Sequence, residues 1–127
     1  MRKALAAVLV GGLCVVASVP ARAKTVTVTG QVIDLYCYVR NRQFVGMNHG
    51  PDRECAVACV RWEGQPAGLL TADGKVYQLA GGLVANNNAK IWPHLTHTVT
   101  VTGEITVKDG MPMIAADDLT MVRSDAR

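Results

Sequence analysis

Two stretches of the chain alternate polar and β-branched apolar residues with a period of two. Residues 25–32 read TVTVTGQV and residues 98–105 read TVTVTGEI, so nearly the same pattern occurs twice. This alternation predicts β-strands that bury one face. Gly30 and Gly103 occupy the same place in the two copies. We expect each strand to bend sharply at its glycine, as strands do when a small barrel closes.

Turn signals predict two hairpins. Residues 68–71 and 75–79 are largely apolar runs that flank Ala72-Asp73-Gly74, and Asp-Gly between apolar runs is typical of a hairpin. A second hairpin is expected from residues 99–107 and 111–122, with its turn at 108–110.

The region between the first strand and the first hairpin has a different pattern. Residues 39–50 are mostly polar and are predicted to form a loop. Residues 52–63 place alanine, valine and cysteine at helical spacing, and they are followed by Gly64 and Pro66, which end helices. We therefore predict a cysteine-bearing helix over 52–63.

These elements predict a mainly β fold. Five or six curved strands, with one α-helix inserted after the first strand, fit a small OB-like β-barrel. The alternative is an open α+β meander.

The N-terminus has the three parts of a secretory signal. Two basic residues precede a long apolar run, and Ala21-Arg22-Ala23 is a cleavage pattern of small residues. We predict a signal peptide over residues 1–23 and a single domain over 24–127, in a periplasmic or secreted protein. A retained membrane anchor is the alternative, but the apolar run is shorter than the about 20 residues that a spanning helix needs.

Charge argues against two classes of partner. The whole chain has 13 basic and 10 acidic residues, but Arg2, Lys3 and Arg22 would leave with the signal peptide. The remaining domain is close to neutral and has no basic stripe. We therefore expect no binding to nucleic acid, and no membrane association after cleavage. A periplasmic protein partner remains a candidate.

Three cysteines of the predicted mature domain are the main candidates for chemistry: Cys37, Cys55 and Cys59. Cys55 and Cys59 are four residues apart and would share one face of a helix. Cys37 is expected at the end of the first strand, close to that helix. Three thiols allow either a shared metal ion, or one disulfide from Cys37 to Cys55 or Cys59 with one thiol left over.

Adding His49 gives a set of three sulfur ligands and one imidazole. Such a set suits zinc in a closed tetrahedral site, or cuprous copper with fewer ligands. Secondary candidate ligands are His94 and His97, together with three thioethers that copper would favour: Met47, Met111 and Met113. Surface histidines and gap-filling methionines are the simpler interpretations of these residues.

The chain resembles a loose group of small exported bacterial OB-fold proteins of uncharacterised function. The specific part of the resemblance is D-x-x-C at Asp34 and Cys37, followed by C-x-x-x-C at Cys55 and Cys59. The stretch GQPAGLL at residues 64–70 also matches. The resemblance implies that the three cysteines act as a set, and it implies no reaction.

Three functions remain open at this point. The first is a periplasmic protein that binds copper or zinc for delivery or storage. The second is an OB-like interaction module that is braced by a disulfide and binds a protein or small ligand without metal. The third is a thiol–disulfide redox protein, which needs a cysteine with a lowered pKa. No set of residues typical of hydrolases or nucleotide-binding enzymes occurs, so no catalytic residue is predicted.

Overall fold

The structure, a computed structural model, describes residues 15, 17–18, 23–45 and 52–122. The predicted signal peptide lies almost wholly outside these residues, and so do two of the candidate ligands, Met47 and His49. Among the helices that the structure describes, none has the length and apolar character to cross a membrane.

Six strands and three short helices make up the described fold. The strands are β1 (Lys24–Asp34), β2 (Ala67–Leu70), β3 (Val76–Ala80), β4 (Thr98–Lys108), β5 (Met111–Ala115) and β6 (Leu119–Met121). The helices are α1 (Leu35–Arg40), α2 (Asp52–Val57) and the four-residue segment α3 (Ala85–Asn88), inside which Asn86 and Asn87 depart from helical backbone angles. A π-helical turn, Ala58–Trp62, continues α2, and 3₁₀ turns occur at Gly81–Val84 and Trp92–His94.

Five of the strands close into a barrel. Their order is β1-β2-β3-β5-β4, and β4 pairs back with β1. β3 and β5 run parallel, whereas the other neighbours in the ring are antiparallel. β6 adds a short sixth strand along β4. The prediction of a mainly β, OB-like barrel is therefore confirmed, and both hairpins turn at the predicted residues. The second arm of the second hairpin, expected over 111–122, is instead divided into β5 and β6, which pair with different parts of β4.

The two copies of the TVTVTG pattern pair with each other in the barrel. β1 and β4 are antiparallel, with Val28 opposite Val101 at the centre of the repeat. Cross-strand hydrogen bonds of 2.8 Å join Thr27 Oγ1 to Thr102 Oγ1, and Thr29 Oγ1 to Thr100 Oγ1. The repeat is thus a local pseudo-two-fold arrangement about the Val28–Val101 pair.

The glycines of the repeat are required by close approach of neighbouring backbone. A Cβ on Gly30 would lie 2.6 Å from the carbonyl oxygen of Leu70, and one on Gly103 would lie 2.2 Å from that of Ala115. Gly30 also marks where β1 changes its pairing, since the strand pairs with β4 up to Gln31 and with β2 from Gln31 onward. The two glycines at which we predicted bends therefore lie where a neighbouring strand leaves no room for a side chain.

Aliphatic side chains fill the barrel, as the scarcity of aromatic residues requires. The main cluster comprises Val32, Ala56, Val60, Ala67, Leu69, Leu79, Leu83, Ile91, Leu95, Val99, Val101, Ile114 and Ala116. Two of its members come from α2 and the π-helical turn. These helical segments therefore pack onto the barrel core, and the position of the cysteines that they carry is fixed by that packing.

Candidate metal centre

Asp34 begins the site by ending a strand and capping a helix. Its backbone is extended, and its carboxylate Oδ1 accepts a hydrogen bond of 3.2 Å from the backbone N–H of Cys37. Aspartate is among the preferred N-cap residues because it satisfies a backbone donor that a new helix leaves free. The buried side chains of Leu35 and Tyr38 then hold α1 against the barrel.

This cap changes the expected position of Cys37. We predicted that Cys37 would end the first strand and that a loop would begin at residue 39. The structure instead ends β1 at Asp34 and places Cys37 in the first turn of α1. Because the cap spans three residues, it brings the Cys37 thiol beside the Asp34 carboxylate.

Cys55 and Cys59 lie on the helix predicted over 52–63, which consists of α2 and the π-helical turn. Ala56 and Val60 face the core one helical turn apart, and each directly follows a cysteine. Burial of these two apolar side chains therefore fixes the rotation of the helix about its axis. Both cysteines are partly buried as a result.

The π-helical turn changes the backbone hydrogen bonding around Cys59. The N–H of Glu63 donates to the carbonyl of Ala58, and the N–H of Gln65 donates to that of Cys59. Single π turns inside helices are rare and occur frequently at functional sites. The helical segment ends at Trp62, and Gly64 follows the capping residue Glu63 with a φ of +66°, which is disfavoured for residues with a Cβ.

Asp34, Cys37 and Cys59 converge in space. One carboxylate oxygen and the two Sγ atoms all lie within 4.8 Å of one another. Asp34 is 1% exposed and both cysteines are partly buried. The cluster is thus formed by residues from β1, α1 and the π-helical turn, which packing on the barrel brings together.

The electrostatics of the cluster keep its thiols protonated. Burial raises the pKa of Cys59 to about 12, and the neighbouring Asp34 charge and hydrogen bond add to the effect. Burial and Asp34 also raise the pKa of Cys37, although a hydrogen bond from Cys59 opposes this. Because a redox nucleophile needs a lowered pKa, these two thiols do not have the properties of one.

Cys55 lies at the edge of the cluster. A charge on Cys55 raises the pKa of both Cys37 and Cys59, so its sulfur is near theirs. It does not belong to the group that meets the 4.8 Å limit among the described residues. All three cysteines are free thiols in this structure.

The remaining predicted ligands lie elsewhere or outside the described residues. His49 and Met47 are in the latter group. His94 and His97 contact each other edge to face, with ring centroids 6.3 Å apart, and neither joins a group of three ligands among the described residues. Met111 and Met113 line an open cleft with Tyr36.

The donor atoms of the cluster fit a metal ion that accepts both oxygen and sulfur. Ligands about 2.0–2.3 Å from a tetrahedral zinc ion are about 3.5–3.8 Å apart, so small side-chain rotations would suffice. A cation would also offset the mutual repulsion of a carboxylate and two thiolates. Its binding must displace thiol protons, and affinity would therefore fall as the pH falls.

Sequence reasoning did not identify Asp34 as a site residue. The signal was present in the D-x-x-C spacing, since an N-cap aspartate and the third residue after it are always neighbours. The role of the aspartate becomes evident once β1 is seen to end there.

The chain matches no protein-family model, and no curated protein or solved structure is detectably similar to it.

Proposed function

We propose that this protein binds one zinc or copper ion through Asp34, Cys37 and Cys59. The observation that supports this proposal is the convergence of one carboxylate oxygen and two thiol sulfurs within 4.8 Å. Burial raises the pKa of both thiols and the nearby Asp34 charge raises it further, so one carboxylate and two thiolates together are unfavourable here without a cation. A bound cation turns the same arrangement into a favourable one.

Zinc fits these ligands better than cuprous copper. Cuprous copper selects soft thiolate and thioether ligands, whereas zinc also accepts carboxylate oxygen. Asp34 contributes such an oxygen from a position that is 1% exposed. The thioethers that would favour copper, Met111 and Met113, line a separate cleft on the β5 side of α1.

The task of such a site would be metal delivery or storage. A signal peptide over residues 1–23 would place the domain in the periplasm or outside the cell, where free metal is acquired and exchanged. A periplasmic protein that takes up or supplies the ion would be the partner. We propose no catalytic reaction for the site.

Metal analysis with thiol counting tests the proposal directly. We expect about one zinc per chain in protein purified under reducing conditions, and displacement of the ion as the pH is lowered. Cys59→Ser and Asp34→Asn should each weaken zinc binding, and the cysteine change should exceed the about 10–100-fold loss that an outer-shell partner costs.

The matched control for the aspartate change is Glu104→Gln, which removes one exposed carboxylate from β4. Asp34→Asn removes the negative charge but can still cap α1, since asparagine is an equally good N-cap. A loss of zinc affinity in this variant is therefore due to the lost charge and not to a lost cap. Native protein with less than about 0.1 ion per chain and no zinc uptake on titration would eliminate the proposal.

A fourth ligand would complete a tetrahedral site. The two candidates are Cys55, which lies beside the cluster, and His49, which lies outside the described residues. Cys55→Ser and His49→Ala proteins, titrated with zinc in parallel, distinguish them. The variant with the larger loss of zinc affinity identifies the ligand. If both variants bind zinc as tightly as the unaltered protein, the fourth position is taken by water.

A disulfide brace is the second candidate function, because the structure favours one pairing over the other. Cys37 and Cys59 are in the cluster, so the bond would join them rather than Cys37 and Cys55. It would close a loop of about 20 residues and stabilise the fold by about 3 kcal/mol. Mass spectrometry of native protein with and without reductant detects it.

A further inference from the structure

Residues 86–88 form a left-handed turn made entirely of asparagine. The φ angles of Asn86, Asn87 and Asn88 are +53°, +53° and +58°. A left-handed conformation is unfavourable for L-amino acids other than glycine, and it is normally adopted by single residues. Asparagine tolerates this region better than most residues, which accounts for the composition of the turn. Three such residues in succession store strain that the surrounding structure must hold in place.

The last residue of the turn is hydrogen-bonded to the C-terminal end of the helical segment that carries Cys55 and Cys59. Asn88 is 5% exposed, and its side-chain Nδ2 donates to the carbonyl of Val60 at 2.8 Å and to that of Gln65 at 3.4 Å. Its own carbonyl accepts a hydrogen bond from the N–H of Ile91, a core residue. The backbone of Asn88 is therefore bonded to the core residue Ile91, and its side chain is bonded to the end of the π-helical turn.

Asn88 satisfies a carbonyl that the irregular helix end leaves without a backbone donor. The carbonyls of Ala58 and Cys59 accept hydrogen bonds from Glu63 and Gln65. The next carbonyl, that of Val60, accepts its bond from Asn88. Because a buried unsatisfied carbonyl is costly, the π-helical turn and the Asn88 side chain depend on each other.

We propose that Asn88 is a positioning residue for the Cys59 thiol. The left-handed turn directs the Asn88 amide at the π-helical turn, and this contact stabilises the helix end that places Cys59 beside Cys37 and Asp34. This role matters for function only if the proposed metal site exists. The closeness of the Cys37 and Cys59 sulfurs can nevertheless be measured in metal-free protein.

Three substitutions separate backbone strain from the side-chain contact. Asn88→Gly keeps the left-handed conformation accessible but removes the amide. Asn86→Gly and Asn87→Gly relieve strain at neighbouring positions and leave the Asn88 amide in place. The readouts are the rate of Cys37–Cys59 disulfide formation with diamide, which is reduced to its hydrazide as the two thiols are oxidised, and the affinity for zinc.

We expect Asn88→Gly to slow formation of this disulfide and to weaken zinc binding by about 10–100-fold, as loss of an outer-shell partner does at metal sites. Asn86→Gly and Asn87→Gly should leave both values unchanged and should not lower Tm. If Asn88→Gly lowers Tm but forms the disulfide at the unaltered rate, its role is only structural and the inference fails.

A second variant, Asn88→Ser, is measured if Asn88→Gly does not fold. Serine keeps a short hydrogen-bonding side chain, although it tolerates the left-handed conformation less well than glycine. Failure of both to fold while Asn87→Gly folds would show that Asn88 supports the whole domain and would overturn the specific role. A slowed disulfide in protein that takes up no zinc would support the positioning role and reject the proposed function. The two ideas therefore fail in distinguishable ways.

Discussion

Two regions of this protein are built on different principles. The first, which we term the repeat wall, is the pair of strands β1 and β4. The second, which we term the connecting segment, is residues 35–66 between β1 and β2. The repeat wall is regular, pseudo-symmetric and formed by alternating threonine and valine. In its described part the connecting segment has two short helices, a π-helical turn and the cysteines of the candidate site.

The difference shows how a rigid frame supports an irregular site. In the repeat wall, side chains alternate between core and solvent, so sequence neighbours determine local structure. In the connecting segment, conformation depends on individual side-chain contacts. The Asp34 carboxylate caps α1 locally, and the Asn88 amide donates to the carbonyl of Val60, which is 28 residues away. We therefore expect substitutions in the repeat wall to change the stability of the fold. Substitutions in the connecting segment should change the pKa and the reactivity of the cysteine thiols.

The largest effect is expected from Gly103→Ala in the repeat wall. Its Cβ would lie 2.2 Å from the carbonyl oxygen of Ala115, so β5 must move away from β4. We expect a loss of about 3 kcal/mol or more in the free energy of unfolding, measured by urea denaturation. Thr106→Ala, at an exposed site on the same strand, is the control and should cost less than about 1 kcal/mol. Equal stability of the two variants would show that the backbone around Gly103 is not crowded.

A smaller effect is expected from alkaline pH in the connecting segment. The pKa of Cys59 is raised from 9.0 to about 12 in the folded protein, so the folded state keeps a proton that the unfolded chain loses. Stability of the reduced, metal-free protein should therefore fall as the pH rises from 9 toward 12, by on the order of 1 kcal/mol by pH 10. Thermal unfolding under reductant measures this, and Cys59→Ser should flatten the dependence. Parallel pH profiles for the two proteins would contradict the prediction.

The smallest effect concerns the threonine pairs on the outer face of the repeat wall. Double-mutant cycles with Thr27→Val and Thr102→Val should give a coupling energy of about 0.2–1 kcal/mol, because the two hydroxyls are hydrogen-bonded at 2.8 Å. A second cycle on Thr29 and Thr100 should give the same value if the pseudo-symmetry extends to energetics. If the two coupling energies differ, the pseudo-symmetry holds for the backbone geometry but not for the energies of the side-chain pairs.

The barrel could be predicted from sequence because its signals are local. The alternation around Val28 and Val101 identified the strands, and Asp73-Gly74 and Asp109-Gly110 identified the turns. Glycine inside each strand pattern marked Gly30 and Gly103, where the structure leaves no room for a Cβ. Each of these signals acts within a few residues and is reinforced by the closed barrel.

The site could be predicted only in part because its geometry depends on contacts between segments. Helical spacing indicated that Cys55 and Cys59 share a face, but the π-helical turn places Cys59 alone with Cys37 and Asp34. That turn depends on Asn88, which is 28 residues or more from Cys55 and Val60. The first strand, which we expected to reach Cys37, ends at Asp34, because the capping bond to Cys37 competes with further strand pairing.

The pairing of β1 with β4 has a consequence for how the chain acquires its fold. β1 is made early, yet its partner strand follows more than 70 residues later, so contacts of high sequence separation dominate the closing step. Until then, the β1 of another molecule presents the same TVTVTG side chains as the correct partner. Folding yield should consequently decline as the protein concentration is raised during refolding, through mispairing between molecules.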